Sequence, residues 1–146
     1  MKKMMLVLAI LLYTGVFHEP AAKAPTSGAL VIFRSEGINP FLRVWNAVCM
    51  EESRMDSMAY NKKEKAVGIA QIRPVRLEEF NRLSDKTYTL NDLWQVNVSK
   101  EIFMFYAMRI GHNDLDMVIR KWNGSGPMTY EYLKRVKVYY NDQRYF

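Results

Sequence analysis

One cysteine, two histidines and no apolar run long enough to span a bilayer set the first limits on this chain of 146 residues. Cys49 has no partner for an internal disulfide, so stability has to come from packing. His18 falls in the N-terminal leader, which leaves His112. That shortage of ligands argues against a catalytic metal, and no cofactor is expected. A Cys49/His112 nucleophilic pair is the remaining use of both residues, but Cys49 lies on an apolar helical stripe and reads as core. Internal repeats and low-complexity tracts are also missing, and the length suits one compact domain.

The N-terminus has its own pattern. Lys2 and Lys3 precede an apolar run from Met4 to Val16, followed by the small-residue patch Ala21-Ala22-Lys23-Ala24. This is the layout of a secretory signal peptide over residues 1–24, and the run is shorter than the roughly 20 residues of a membrane span. No cysteine follows it, so a lipidated N-terminus is not expected. Membrane contact is expected only through this signal, and the mature protein is expected in the periplasm or outside the cell. Loss of Lys2, Lys3, Lys23 and Glu19 lowers the net charge from +6 to +4. That surplus suits an anionic cell wall and is too small to argue for nucleic acid.

Pro25, Ser27 and Gly28 mark residues 25–36 as a short linker, and residues 37–146 as the folded domain. Asn39-Pro40 predicts a helix start. From Phe41, the apolar residues Val44, Trp45, Val48 and Cys49 keep helical spacing up to Glu51 and Glu52. Residues 54–73 lose that period and read as an irregular loop with short strands. Pro74 opens a helix with Leu77 and Phe80 inward, and Ser84–Leu93 is a turn with Thr89 and Asn91 as capping residues. Val98–Ile110 is apolar on most sides, Met108 included, and predicts a helix buried through the middle. Asn113 or Asp114 caps a helix carrying Leu115, Val118, Ile119 and Trp122, which ends at Asn123-Gly124-Ser125-Gly126. The last helix turns Tyr132, Leu133, Val136, Tyr139 and Tyr140 inward. The expected class is mainly α, with a small irregular β region after the first core helix, and a monomer is expected.

Glu52 is the candidate for chemistry. A carboxyl in an apolar setting at a helix C-terminus is pushed toward its neutral form, as an acid that must donate a proton at neutral pH requires. Three segments keep it company in order: Glu52-Ser53, Gly68-Ile69-Ala70-Gln71-Ile72 and Trp122-Asn123-Gly124. Together they resemble the lysozyme-like domain of the soluble lytic transglycosylases. That family carries Glu-Ser at a helix end, a Gly-Leu-Met-Gln-like segment shortly after, and a Tyr-Asn-Ala-Gly-like turn much later. The likeness extends through Asn97-Val98 and Tyr132-Leu133 and covers about residues 37–140.

The resemblance implies cleavage of the β-1,4 bond between N-acetylmuramic acid and N-acetylglucosamine in peptidoglycan strands. A single acid/base, matched by Glu52, leaves a 1,6-anhydro product. It implies that Ser53 supports the carboxyl, that Gly68 lets the backbone approach the sugar, and that Gln71 offers its amide to the substrate. Asn123 positions substrate or loop, with Trp122 and Tyr132 as further supporting positions. Ala70 stands for a bulkier residue and implies a wider subsite, and Glu101 stands for a small one. Trp122 replaces a Tyr whose hydroxyl reaches the catalytic carboxyl, so either the indole packs or another tyrosine makes that contact. Asp56 and Glu64 are candidates for a second acid, which keeps a muramidase as an alternative. A silent wall-binding scaffold is the alternative from another class. Roles open to such a small protein are wall remodelling, or service to a secretion, conjugation or phage apparatus.

Overall fold

The computed structural model describes residues 39–111 and 113–145, and the side chains of all of these but Tyr145. The expected signal peptide, the linker, residues 37 and 38, and His112 lie outside them. The described part is mainly helical with one small antiparallel β region.

Helix α1, Phe41–Ser53, begins where the Asn39 side chain accepts a hydrogen bond from the Phe41 N–H at 3.0 Å, so Asn39 caps as expected. Its buried stripe is Phe41, Val44, Trp45, Ala47, Val48 and Cys49, the spacing that drives an amphipathic helix into a core. Strands β1, Tyr60–Asn61, and β2, Ala66–Val67, pair antiparallel with Tyr60 opposite Val67 and Asn61 opposite Ala66. Helix α2, Pro74–Leu83, follows with Leu77 and Phe80 buried. A 3₁₀ turn, Leu90–Trp94, is held by a capping box between Thr89 and Asp92; Asp92, not Asn91, is the second partner because only position N3 can reach back to the cap.

Helix α3, Val96–Ile110, buries Val98, Ser99, Ile102, Phe103 and Ala107. Met108 is 64 % exposed, so the helix has a solvent face and is not buried all round. Helix α4, Leu115–Asn123, is capped by Asp114, whose carboxylate accepts from the Met117 N–H at 2.7 Å. Helix α5, Met128–Asn141, packs most extensively on α1 and α4, with Tyr132 and Val136 buried. A short 3₁₀ turn, Gln143–Tyr145, follows it.

The loop between α1 and α2 is compressed by unusual backbone. Arg54, Met55, Lys65 and Gln71 are non-glycine residues at positive φ, a conformation that costs of order 1 kcal/mol or more each. Gly68 is where that compression is tightest. At φ +76°, a Cβ on it would sit 2.2 Å from the Leu93 carbonyl oxygen of the 3₁₀ turn. That carbonyl cannot yield freely, because it accepts the buried Ser99 hydroxyl at 2.9 Å. Gly68→Ala is therefore expected to cost about 2–4 kcal/mol through strain and displaced backbone. Thermal unfolding followed by circular dichroism should show a midpoint lower by roughly 10 °C or more. An unchanged midpoint would mean that the loop does not close on the 3₁₀ turn.

Candidate active site

Glu52 lies in the last turn of α1, one residue before the helix ends. The chain then turns through Arg54 at φ 57°, whose N–H bonds back to the carbonyls of Cys49 and Met50. This abrupt stop leaves Glu52 on the wall of a polar cavity of about 290 Å³. Asn61, Glu64 and Ala66 from the β region line it, with Gln71, Arg73 and Arg76 from the loop and α2, and Trp122 and Asn123 from the end of α4.

Behind the carboxyl, on the core side, the hydroxyl of Tyr132 donates to Glu52 Oε1 at 2.7 Å. Burial pushes the Glu52 carboxyl up from the usual 4.5 to about 7; the Tyr132 hydrogen bond opposes the rise, Glu51 adds to it, Arg73 opposes it, and Glu64 adds to it. Burial and the nearby carboxylate likewise hold the Tyr132 phenol well above its usual value, so it remains a donor. Glu51 points elsewhere, to an ion pair with Arg135 of α5, as neighbouring helical residues must.

Several expected roles are redistributed. Ser53 does not touch the carboxyl: its hydroxyl donates to the Ile69 carbonyl at 2.7 Å, tying the helix end to the loop beneath it. Gly68 approaches the Leu93 carbonyl and not the cavity. Gln71 lines the cavity, but its Nε2 donates to the carbonyls of Ala59 and Gly68 at 3.1 and 2.9 Å, leaving its oxygen for a ligand. Ala70 is fully buried in the core, so its small size widens no subsite. Asp56 is exposed and holds the Met58 N–H at 2.8 Å, away from the cavity lining; Glu64 is the carboxylate that shares the cavity with Glu52.

Trp122 packs edge-on against Phe103, their centroids 5.1 Å apart, and Tyr132 supplies the hydroxyl at Glu52. Asn123 lines the cavity, and its side-chain amide makes no hydrogen bond among the described residues. Cys49 is buried in the core, where burial raises its thiol and keeps it protonated.

Arg73 and Arg76 were not expected in the site. Arg73 Nη2 donates to the Asn123 carbonyl at 3.1 Å, and Arg76 Nη2 to the carbonyls of Lys121 and Trp122 at 3.1 and 2.9 Å. Arg76 also lies over the Trp122 and Tyr106 rings at 4.7 and 4.8 Å. A signal was present in the sequence: two cations flank Pro74 at the start of a helix, where the macrodipole disfavours them. Compared with known proteins, the chain matches no family model, no curated protein and no solved structure.

The raised carboxyl has a consequence for stability that is independent of function. Folding retains a proton that the unfolded chain releases from pH 4.5 upward, so the stabilisation is fully present below pH 4.5 and is lost as pH rises through about 7. The loss amounts to about 3 kcal/mol. Glu52→Gln keeps the shape and removes the charge. Urea unfolding should show it equal to the parent near pH 4.5 and more stable by about 2–3 kcal/mol at pH 8. Identical pH dependence in the two proteins would show that the carboxyl is not desolvated.

Proposed function

We propose that the exported protein is a lytic transglycosylase that cleaves peptidoglycan glycan strands, with a lysozyme-like domain and Glu52 as its single acid/base. The observation that carries this reading is a carboxyl shifted to about 7 at the wall of an open polar cavity. Glycoside cleavage needs a proton delivered to a poor leaving group at neutral pH, and an ordinary surface carboxyl has already lost it.

In this reading Glu52 protonates the oxygen between N-acetylmuramic acid and N-acetylglucosamine. The substrate's acetamido group stabilises the cationic carbon, and the same carboxylate then takes the proton of the muramic 6-hydroxyl. Closure of the 1,6-anhydro ring returns Glu52 to its protonated state, and no water is consumed. Tyr132 fits both halves of this cycle: its O–H stabilises Glu52 while the carboxyl is ionised and holds its orientation when it is protonated. Gln71 and Asn123 offer uncharged polar groups suited to hydroxyl and acetamido functions.

A muramidase is the second reading, favoured by one observation. Glu64 shares the cavity with Glu52, and a second carboxylate is what sugar hydrolases use to activate water. The silent-scaffold alternative drew its support from Trp122, and that support weakens where Tyr132 supplies the hydroxyl. Mass spectrometry of peptidoglycan digests separates the readings. The parent should yield anhydromuramic ends, Glu52→Gln should lose about 10²–10⁴-fold in rate, and Glu64→Gln should retain the anhydro product. Reducing ends that vanish in Glu64→Gln would transfer the assignment to hydrolysis. The rate should fall as pH rises past about 7, where Glu52 loses its proton.

A further inference from the structure

Beside the catalytic cavity, and sharing Arg76 and Trp122 with it, lies a larger one of about 610 Å³ between α2, α3 and α4. Apart from those two shared wall residues the cleavage site uses none of it, yet its size falls in the range of roughly 300–1,000 Å³ typical of small-ligand sites. Phe103, Ala107, Val118 and Trp122 make its floor apolar. Its rim is charged. Glu79 accepts the Tyr106 hydroxyl at 3.0 Å. Arg109 lies over the Phe105 ring, and neither it nor Lys121 is paired with a carboxylate among the described residues. Two unpaired cations over an apolar floor favour a ligand that combines carboxylates with small apolar groups.

We propose that this second cavity binds the peptide stem carried by the muramic acid residues of the glycan strand. The inference rests on the substrate reading above. A stem peptide combines methyl side chains with free carboxylates, which suits an apolar floor beneath Arg109 and Lys121, and its diaminopimelate ammonium suits the Glu79 carboxylate on the same rim. It is also tethered to the strand whose bond lies at Glu52, one wall away. A ligand delivered by the strand itself arrives at high effective concentration, so a weak site suffices to select peptide-bearing strands. An acyl chain is the competing chemistry. It fits less well, because the Tyr106 hydroxyl, Glu79 and the arginines interrupt the apolar surface.

The test combines a binding and a cleavage measurement on the purified protein and the double variant Arg109→Gln/Lys121→Gln, both positions being exposed and outside the catalytic cavity. In calorimetry the free stem tripeptide, alanine–γ-glutamate–diaminopimelate, should bind the parent saturably and the variant at least tenfold more weakly. In cleavage assays the parent should prefer peptide-bearing strands to amidase-stripped strands by at least tenfold, and the variant should lose that preference while cleaving stripped strands at the parental rate.

Absent or unaltered peptide binding overturns the proposal, as do equal rates on the two strands, or binding of anionic phospholipid vesicles in place of the peptide. Peptide binding without cleavage of either strand overturns the glycan-cleaving reading and leaves the peptide site standing.

Discussion

A carboxyl group held out of water at the end of a helix is the constraint to which the rest of this domain answers. Glu52 needs the core of α1 behind it, a chain that stops at once after it, and a donor that is not a cation. The left-handed Arg54 and Met55 supply the stop, and Tyr132 supplies the donor. Glu51 and Glu52 show why the identity of the donor matters. Both reach α5 from the same turn of α1, yet Glu51 meets Arg135 and Glu52 meets a phenol. A guanidinium in place of the phenol would favour the charged form far more strongly and erase the shift that burial creates. Two adjacent acids are thus given different partners three residues apart on one helix.

The opposite wall of the cavity depends on a second device. The last carbonyls of α4 have no partners within their own helix, and they fall where Trp122 and Asn123 must be held against the site. Arg73 and Arg76 satisfy three of them from the start of α2. Their placement is unfavourable for α2, whose N-terminus repels cations, and favourable for α4, whose C-terminus attracts them. The guanidiniums therefore belong energetically to the neighbouring helix. They also bring positive charge beside Glu52, where Arg73 opposes the effect of burial without cancelling it.

Most of the helical frame was legible because its signal is periodic. The stripes at 44, 45, 48 and 49 and at 118, 119 and 122 place their residues in the core, and the loss of that period after Ser53 marked the β region. Met108 escaped the reading because composition alone cannot distinguish a helix with one wet face from one buried all round. In the site, the apolar approach and helix-end position made the burial of Glu52 legible, while its candidacy as an acid rested on the company of the 68–72 and 122–124 segments. The roles of Ser53, Gly68 and Gln71 were not legible, because each makes, beside any local bond, a contact with backbone distant in the chain: Ile69, Leu93 and Ala59. No side-chain pattern records where a carbonyl will lie.

These three residues share a logic that residue type alone conceals. Each constrains the loop that carries Glu64 and Ala66 over the cavity and none engages the Glu52 carboxyl, so they set the shape of the cavity and leave the contact with that carboxyl to Tyr132. Trp122 completes the division. An indole cannot accept a hydrogen bond and has a single donor, so it has less to offer a carboxyl that is held near its neutral form than a hydroxyl, which can both donate and accept. The indole is well suited to be a flat apolar wall under the Arg76 guanidinium, with Phe103 behind it. With the hydroxyl at Glu52 supplied from position 132, position 122 has no contact to make with the carboxyl. What an indole provides there is a rigid partition with a cavity on each side.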